Sequence, residues 1–361
     1  MKAAIILGTR PEIIKFSPLI KELAVSKHKF FVVHSGQHYS KDMSEDFFTE
    51  LNIGLPKYNL LSLARSTNYE LRIKNSRRNN SSLAEMLPGI IKILKKEKPD
   101  MVVVQGDTKT ALAGALAASH LNIKLAHLEA GLRSFDDNMP EEINRIVIDQ
   151  MSNLLFCPTK TSKDNLKREK IKGNIQIVGN TIADVLTESS QLLPSKRYLN
   201  EDYALLTLHR PSNVDNPEDL KAILNILGKI SEKYHLKIFF PVHPRTRKVI
   251  KLNKIELPKK IIPITPMKYA KMIHALRDAK LIFTDSGGLQ EEACILQVPC
   301  ITLRENTERP ETLDIGANIL VGNSEKKIFS AVNKMLSSKR DWLNPYGRNV
   351  SKKILKVLEK D

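Results

Sequence analysis

Hydrophobic positions along the chain fall into short unbroken runs separated by amphipathic stretches. AAIILG (3–8), FFVVHS (30–35), MVVVQG (101–106), KLAHLE (124–129) and NLLFCP (153–158) occupy the first half, each followed by residues with helical spacing. ALLTLH (204–209), KIFFPVH (237–243), KLIFTD (280–285), CITL (300–303) and NILVG (318–322) occupy the second. A strand with one wet face alternates apolar and polar residues, whereas a strand covered on both faces reads as a continuous apolar run. These runs therefore predict parallel sheets covered by helices. Strand–helix alternation repeated twice predicts an α/β protein of two Rossmann-like domains, residues 1–178 and 179–343, divided near VGNT (178–181). A terminal helical stretch, about 344–361, can pack on either domain, a return to the first included. No period of 20–50 residues repeats, and no low-complexity linker interrupts the pattern.

The length, 361 residues, suits two domains with a core each, and 42% hydrophobic with 27% charged residues is the composition of a soluble globular protein. The apolar run at 3–7 is too short for a signal-peptide core or a membrane span, so a cytoplasmic protein with no membrane partner is expected. Cys157, Cys294 and Cys300 lie in apolar surroundings without CxxC pairing and read as core residues, with neither a disulfide framework nor a zinc site. A net charge of +17 raises the question of nucleic acid. The basic residues are dispersed and aromatic residues make up only 6%, too few for a base-stacking platform, so no nucleic-acid partner is expected.

In open α/β sheets ligands sit at the carboxyl ends of strands, so the residues just past each run carry the candidate chemistry. GTRPEIIK (8–15) follows the first run. Thr9 as N-cap, Glu12 as its capping-box partner and Pro11 in the first turn are explained by helix capping alone. Arg10 and Lys15 are not, and they would place two cations near a phosphate at a helix N-terminus. Asp107, in GDTKT, reads equally as an N-cap or as an acid or base at a strand end. AHLEAGLRSFDDNMPEEINR (126–145) crowds carboxylates around Arg133 and Arg145 with almost no apolar periodicity. In the second half, His209 with Arg210 and His243 with Arg245 stand at strand ends, a pattern suited to anion contacts. In TDSGGLQEEACIL (284–296), Gly287 and Gly288 allow close backbone approach, Ser286 and the following helix offer donors to a diphosphate, and Glu291 or Glu292 could reach a ribose hydroxyl. There is no GxGxxG after the first run and no GxxxxGK[ST], so neither a bound nicotinamide cofactor nor a P-loop is expected.

In their order, GTRPEIIK, GDT, HLEAGLR, PEEINR, VGNT, LHR, VHP, DSGGLQEEA and RENTERPE span essentially the whole chain. Together they resemble the non-hydrolysing UDP-N-acetylglucosamine 2-epimerases. The resemblance implies a GT-B-type fold, two Rossmann-like domains with parallel sheets facing a central cleft, usually as a homodimer with a UDP-sugar bound and no cofactor or metal. It implies an isomerase that interconverts UDP-N-acetylglucosamine and UDP-N-acetylmannosamine by eliminating UDP across C1 and C2, forming 2-acetamidoglucal, and adding UDP back with the proton on the other face. Such chemistry needs carboxylates near C2 and cations on the diphosphate. By the same resemblance Asp107, Glu129 and Glu141 are the catalytic acids, with His209 near the diphosphate. Arg10, Lys15, Arg133 and Arg145 shape the charged pocket, Arg145 as a partner of Glu141, and His243, Ser286, Gly287, Gly288, Glu292 and Arg309 contact the nucleotide.

The chain departs from the family pattern where Met272 stands in place of an aromatic residue expected under the uracil. It also departs at GQHYSKDM (36–43), which keeps Gln37 and His38 but lacks the segment that binds a second, activating substrate molecule in bacterial relatives. The alternatives are a GT-B glycosyltransferase, a hydrolysing 2-epimerase that releases free N-acetylmannosamine, and a non-catalytic nucleotide-sugar sensor. HLEAGLR with PEEINR separates the epimerase from a transferase, which does not need these carboxylates.

Overall fold

The computed structural model describes residues 1–37, 47–60 and 82–360, so His38 of the GQH stretch lies outside the described residues. The chain divides into two compact units, Met1–Val185 with Tyr346–Asp361, and Leu186–Pro345.

The first unit carries β1 (Lys2–Leu7), β2 (Lys29–His34), β3 (Tyr58–Asn59), β4 (Met101–Gln105), β5 (Lys124–Leu128), β6 (Leu154–Cys157) and β7 (Asn174–Ile177). These described strands pair in parallel in the order β3-β2-β1-β4-β5-β6-β7. Its helices are α1 (Arg10–Val25), α2 (Leu83–Glu97), α3 (Lys109–His120), α4 (Pro140–Met151), α5 (Lys160–Arg168) and α6 (Ile182–Leu192), the last of which runs on into the second unit. Alanine-rich α3 lets a helix approach the sheet closely. Ala111, Ala115 and Ala118 pack with Ala4, Ile6, Val33, Val102 and Val104 in one buried cluster. Each of the valine and isoleucine side chains contributes about 1.5–3 kcal/mol by leaving water.

The second unit carries β8 (Tyr203–Thr207), β9 (Lys237–Pro241), β10 (Ile261–Ile264), β11 (Leu281–Thr284), β12 (Cys300–Thr302) and β13 (Asn318–Leu320). They form a parallel sheet in the order β10-β9-β8-β11-β12-β13. Around it lie α7 (Pro211–Val214), α8 (Pro217–Lys233), α9 (Pro244–Leu252), α10 (Tyr269–Asp278), α11 (Gly287–Ile295), α12 (Pro310–Asp314) and α13 (Glu325–Ser337). Leu206, Ile238, Phe240, Phe283 and Ile301 of the strands close a core with Leu220, Ile223 and Leu227 of α8 and Val332 of α13.

After Pro345 the chain returns to the first unit, where α14 (Val350–Leu358) packs on α1. The return is pinned at Gly179. Its φ is +103°, and a Cβ there would stand 2.2 Å from the Tyr346 carbonyl oxygen, so backbone and side chain both demand glycine.

Every apolar run of the sequence forms a strand, and β3, β7 and β10 are additional. All three lie at sheet edges. An edge strand is covered less fully than a central one, so it need not carry the continuous apolar signature; β7 is half-buried or exposed throughout. The three cysteines are buried and free, and burial pushes their thiols up to about 12. Among the described residues no helix is long and apolar enough to cross a membrane.

Both sheets reverse direction of strand addition once, between β1 and β4 and between β8 and β11. Ligands of open α/β sheets bind outside the strand ends at such a reversal. The residues there are Gly8–Arg10, Gly106–Thr108, Leu208–Arg210 and Asp285–Gly287.

Candidate active site

The first turn of α1 shows the capping box. Glu12 Oε2 accepts from the Gly8 and Thr9 amides at 2.9 and 2.8 Å and from Thr9 Oγ1 at 2.9 Å. Its Oε1 accepts from Thr108 Oγ1 at 2.6 Å, which ties the β1–α1 turn to the β4–α3 turn. Burial nevertheless pushes the Glu12 carboxyl up to about 7, against the opposing pull of these donors. Arg10 lies with its guanidinium 5.2 Å from the Phe47 ring centre, and burial lowers its pKa. Lys15, one turn into the helix and buried, pairs with Glu129. The structure thus gives Lys15 a carboxylate partner within the protein.

Glu129 follows β5 with φ +66°, a left-handed conformation that a non-glycine residue adopts at a cost of about 1–3 kcal/mol. Asn180 Nδ2 donates to Glu129 Oε1 at 2.8 Å. A Cβ built on Gly106 would lie 3.3 Å from Glu129 Oε2, so this carboxylate stands beside the turn that carries Asp107.

Thr108, not Asp107, is the N-cap of α3: its Oγ1 accepts from the Ala111 amide at 3.0 Å. Asp107 is thereby left to other work, and its carboxylate meets Arg145. Arg145 does not hold Glu141. It pairs with Glu142, one turn back on α4, and bridges that residue to Asp107. Helix spacing puts both Glu141 (i, i+4) and Glu142 (i, i+3) within reach of Arg145, and burial decides between them: Arg145 and Glu142 are both buried, whereas Glu141 is half-buried. Glu142 also accepts from the Ser134 amide and hydroxyl at 2.9 and 2.8 Å and from the Phe135 amide at 3.2 Å, which fastens the charged loop to α4. Among the described residues the Glu141 side chain has no ion-pair or hydrogen-bond partner.

Arg133 turns into the protein. It pairs with Asp149 at 2.8 Å, makes a two-bond fork with Glu169 at 2.7 and 2.6 Å and donates to the Leu132 carbonyl at 2.7 Å. Burial pulls its pKa down, and the Glu169 and Asp149 carboxylates outweigh that and hold it above its ordinary value. Asp149 also binds His127 Nδ1 at 2.7 Å, and His127 Nε2 lies 2.9 Å from the Gly106 carbonyl. The loop's charges are therefore mostly paired, and the pairing fixes where Asp107 and Glu129 stand.

In the second unit, Asp285 is fully buried at the end of β11. Its carboxylate accepts from the His209 amide at 2.9 Å, the Arg210 amide at 2.9 Å and Asn213 Nδ2 at 3.2 Å, and pairs with His209 Nδ1 at 2.8 Å. Burial pushes this carboxyl up, but the His209 bond and charge with the two backbone donors prevail and hold it below the usual range. His209 is thus oriented by Asp285 and leaves part of its ring exposed, 5.5 Å from the His243 ring. His243 caps α9 by accepting from the Arg245 amide at 3.2 Å, and Arg245 pairs with Asp215.

Ser286 is the N-cap of α11, with Oγ accepting from the Leu289 amide at 3.4 Å. A Cβ on Gly287 would stand 2.7 Å from Glu308 Oε1, whereas one on Gly288 would meet nothing within 4 Å. A side chain at Gly287 would displace the Glu308 carboxylate, and Gly288 leaves open space. Of the adjacent acids, Glu291 is buried and pairs with Arg309 at 2.8 Å, and Glu292 accepts from Tyr269 Oη at 3.1 Å. Arg309 also pairs with Glu308 at 2.7 Å, which Arg304 meets at 2.9 Å and Arg210 at 3.6 Å. Arg210, Arg304 and Arg309 converge on Glu308 beside the start of α11, a site whose charge favours an anion. Met272 is half-buried on α10.

The structure thus brings together Lys15 with Glu129 and Asp107 with Arg145 in one unit, and His209, His243 and the Ser286–Gly288 turn at strand ends of the other. The sequence pattern alone did not single out Glu142, Asp149, Asn180 or Asp285. The buried polar position in an otherwise apolar run was a usable signal only for Asp285.

A family model described as UDP-N-acetylglucosamine 2-epimerase matches residues 21–359. The UDP-N-acetylglucosamine 2-epimerase of Methanocaldococcus jannaschii is 49% identical over 373 residues, with 99% of each chain covered. A crystal structure of the M. jannaschii UDP-GlcNAc 2-epimerase in complex with UDP-GlcNAc and UDP superposes with a TM-score of 0.90 at 48% identity, covering 100% of both chains. The spinosyn rhamnosyltransferase SpnG shares the fold, with a TM-score of 0.55 at 12% identity over 99% of each chain. A GT-B-type α/β fold, strand ends lined with paired carboxylates and cations, and likeness along the whole length place the chain in the UDP-N-acetylglucosamine 2-epimerase family.

Proposed function

We propose that the protein interconverts UDP-N-acetylglucosamine and UDP-N-acetylmannosamine without hydrolysis. One carboxylate removes the C2 proton; the electron pair left behind becomes the C1–C2 double bond, and the C1–O bond to the β-phosphate breaks with its pair on UDP. In the return step an acid delivers a proton to the opposite face of C2 while the UDP oxygen rejoins C1. The atoms balance without an oxidant or a water molecule.

The observation that carries this reading is the pair of carboxylates Asp107 and Glu129 at neighbouring strand ends, each held by a buried cation. Two acids in different polar surroundings are what a reaction with a base on one face and an acid on the other requires. Glu141, half-buried in the first turn of α4, is the third candidate. In the second unit the arginines around Glu308 and the α11 N-terminus supply positive charge for a diphosphate leaving group, and His209, oriented by Asp285, offers its exposed ring edge to it. Glu292, which accepts from Tyr269 Oη, is the residue we assign to the ribose hydroxyls.

Incubation with UDP-N-acetylglucosamine in deuterium oxide, followed by NMR, tests the reading. The expected result is a mixture of both UDP-sugars with deuterium at C2 and little free sugar. Stoichiometric free N-acetylmannosamine would assign the hydrolysing reaction instead, and protium retained at C2 in the product would exclude proton abstraction.

A further inference from the structure

The VGNT turn has no part in the reaction as derived above, yet its Asn180 is 1% exposed and reaches the carboxylate of Glu129 across 51 positions of sequence. Three bonds fix it. Its backbone amide donates to the Tyr346 carbonyl at 2.9 Å, its Oδ1 accepts from the Ile182 amide at 3.1 Å, and its Nδ2 donates to Glu129 Oε1 at 2.8 Å. Because the side-chain oxygen is committed to the start of α6, the amide nitrogen has to face Glu129; a flipped amide would set N–H against N–H and oxygen against oxygen. Lys15 meets the same Oε1. Two donors on one oxygen turn the other, Oε2, toward Gly106 and the turn of Asp107.

We propose that Asn180 is a positioning residue of the epimerisation. It holds Glu129 in its left-handed backbone conformation with Oε2 directed at the Asp107 side, and its N–H on Oε1 favours the charged form over the neutral one. The inference rests on the proposed role of Glu129. Its physical basis is that a donor fixed on a carboxylate oxygen favours the charged form and defines the rotamer at once. Lys15 alone supplies charge on a flexible stem, whereas the amide is anchored at both ends and supplies direction. Gly179, which lets the Tyr346 carbonyl approach, makes this anchoring depend on the returning C-terminal segment.

The informative variant is Asn180→Asp. It keeps the volume and the oxygen that caps α6, and exchanges only the donor for an acceptor beside Glu129. Asn180→Ala is less discriminating, because Asn180 borders a cavity of about 10 Å³ shared with Gln105, Glu129 and Thr181, room for one water that would replace the lost donor. Asn180→Ser keeps a cap oxygen and adds no charge, so it serves if the Asp variant does not fold. Purified Asn180→Asp, Asn180→Ser and Glu129→Gln are compared with wild type by far-UV circular dichroism and by kcat and KM from pH 5 to 9.

Asn180→Asp is expected to lower kcat by roughly 100-fold, with KM within about threefold of wild type, the scale of a misplaced catalytic group. Its acidic limb in the kcat profile should move to higher pH by about one unit, because a proton is shared where a donor stood. Asn180→Ser should move that limb in the same direction. A loss that was merely structural would lower the active fraction and leave the limb in place. A folded Asn180→Asp or Asn180→Ser with the wild-type kcat and limb, while Glu129→Gln is inactive, overturns the role of Asn180 alone. Wild-type turnover by Glu129→Gln overturns the role of Glu129 and, with it, this inference.

Discussion

Asp285→Asn removes one oxygen and one charge from a fully buried carboxylate that serves the His209 amide, the Arg210 amide, Asn213 Nδ2 and His209 Nδ1. An asparagine offers one carbonyl oxygen, which satisfies the donors on one side, and an NH2 that confronts those on the other. With its oxygen at the Oδ2 position the asparagine keeps the His209 amide, the Arg210 amide and Asn213 Nδ2 satisfied, and its NH2 confronts His209 Nδ1, so one donor loses its acceptor at about 1–3 kcal/mol. The expected destabilisation at pH 7 is therefore on the order of 1–3 kcal/mol, or roughly 5 °C in the melting midpoint of a unit of this size. The sign with pH follows from linkage. Asp285 has a folded-state carboxyl below the ordinary range, so its contribution is fully present above the unfolded value of about 3.9 and is lost as pH falls through the folded value. Differential scanning calorimetry of wild type and Asp285→Asn at pH 7, 5, 4 and 3 should show a gap in midpoint that is constant down to about pH 5 and narrows below pH 4. The same variant should lose turnover, because His209 Nδ1 loses the carboxylate that orients the ring. An Asp285→Asn protein that melts with wild type at pH 7 would refute the reasoning, and a gap that widens on acidification would refute its sign.

Asp107→Asn and Glu141→Gln should each lower kcat by at least about 100-fold while substrate still binds, measured by steady-state kinetics and by calorimetric titration with UDP-N-acetylglucosamine. Wild-type turnover in either would remove that residue from the acid–base set. Glu12 runs opposite to Asp285: its folded carboxyl is raised to about 7, so between the ordinary glutamate range and pH 7 the folded state holds a proton that the unfolded chain has released. Wild-type stability should then decline by roughly 3 kcal/mol as pH rises from about 4.5 to 8, and Glu12→Gln, whose amide can donate to Thr108 Oγ1, should flatten that decline in urea titrations. A wild-type stability that rises over this interval would contradict the assignment.

The hydrophobic pattern by itself determined the central strands of both sheets. A buried parallel strand must be apolar on both faces, and MVVVQG or KLIFTD has few other ways to leave water. It also determined the start of α1, since Thr9, Pro11 and Glu12 act over four residues through local bonds. The edge strands β3, β7 and β10 escaped it, because partial cover imposes no pattern strong enough to read. The charged residues divide in the same way. That 126–145 carries chemistry was legible from its composition, but which charge answers which was not. Arg145 takes Glu142 and Asp107, Arg133 takes Asp149 and Glu169, and Lys15 takes Glu129 from 114 positions away. Sequence spacing says nothing about such partners, because burial selects them: a cation removed from water must find the carboxylate that the packed sheet and helices bring within reach, and only the tertiary structure decides which one that is.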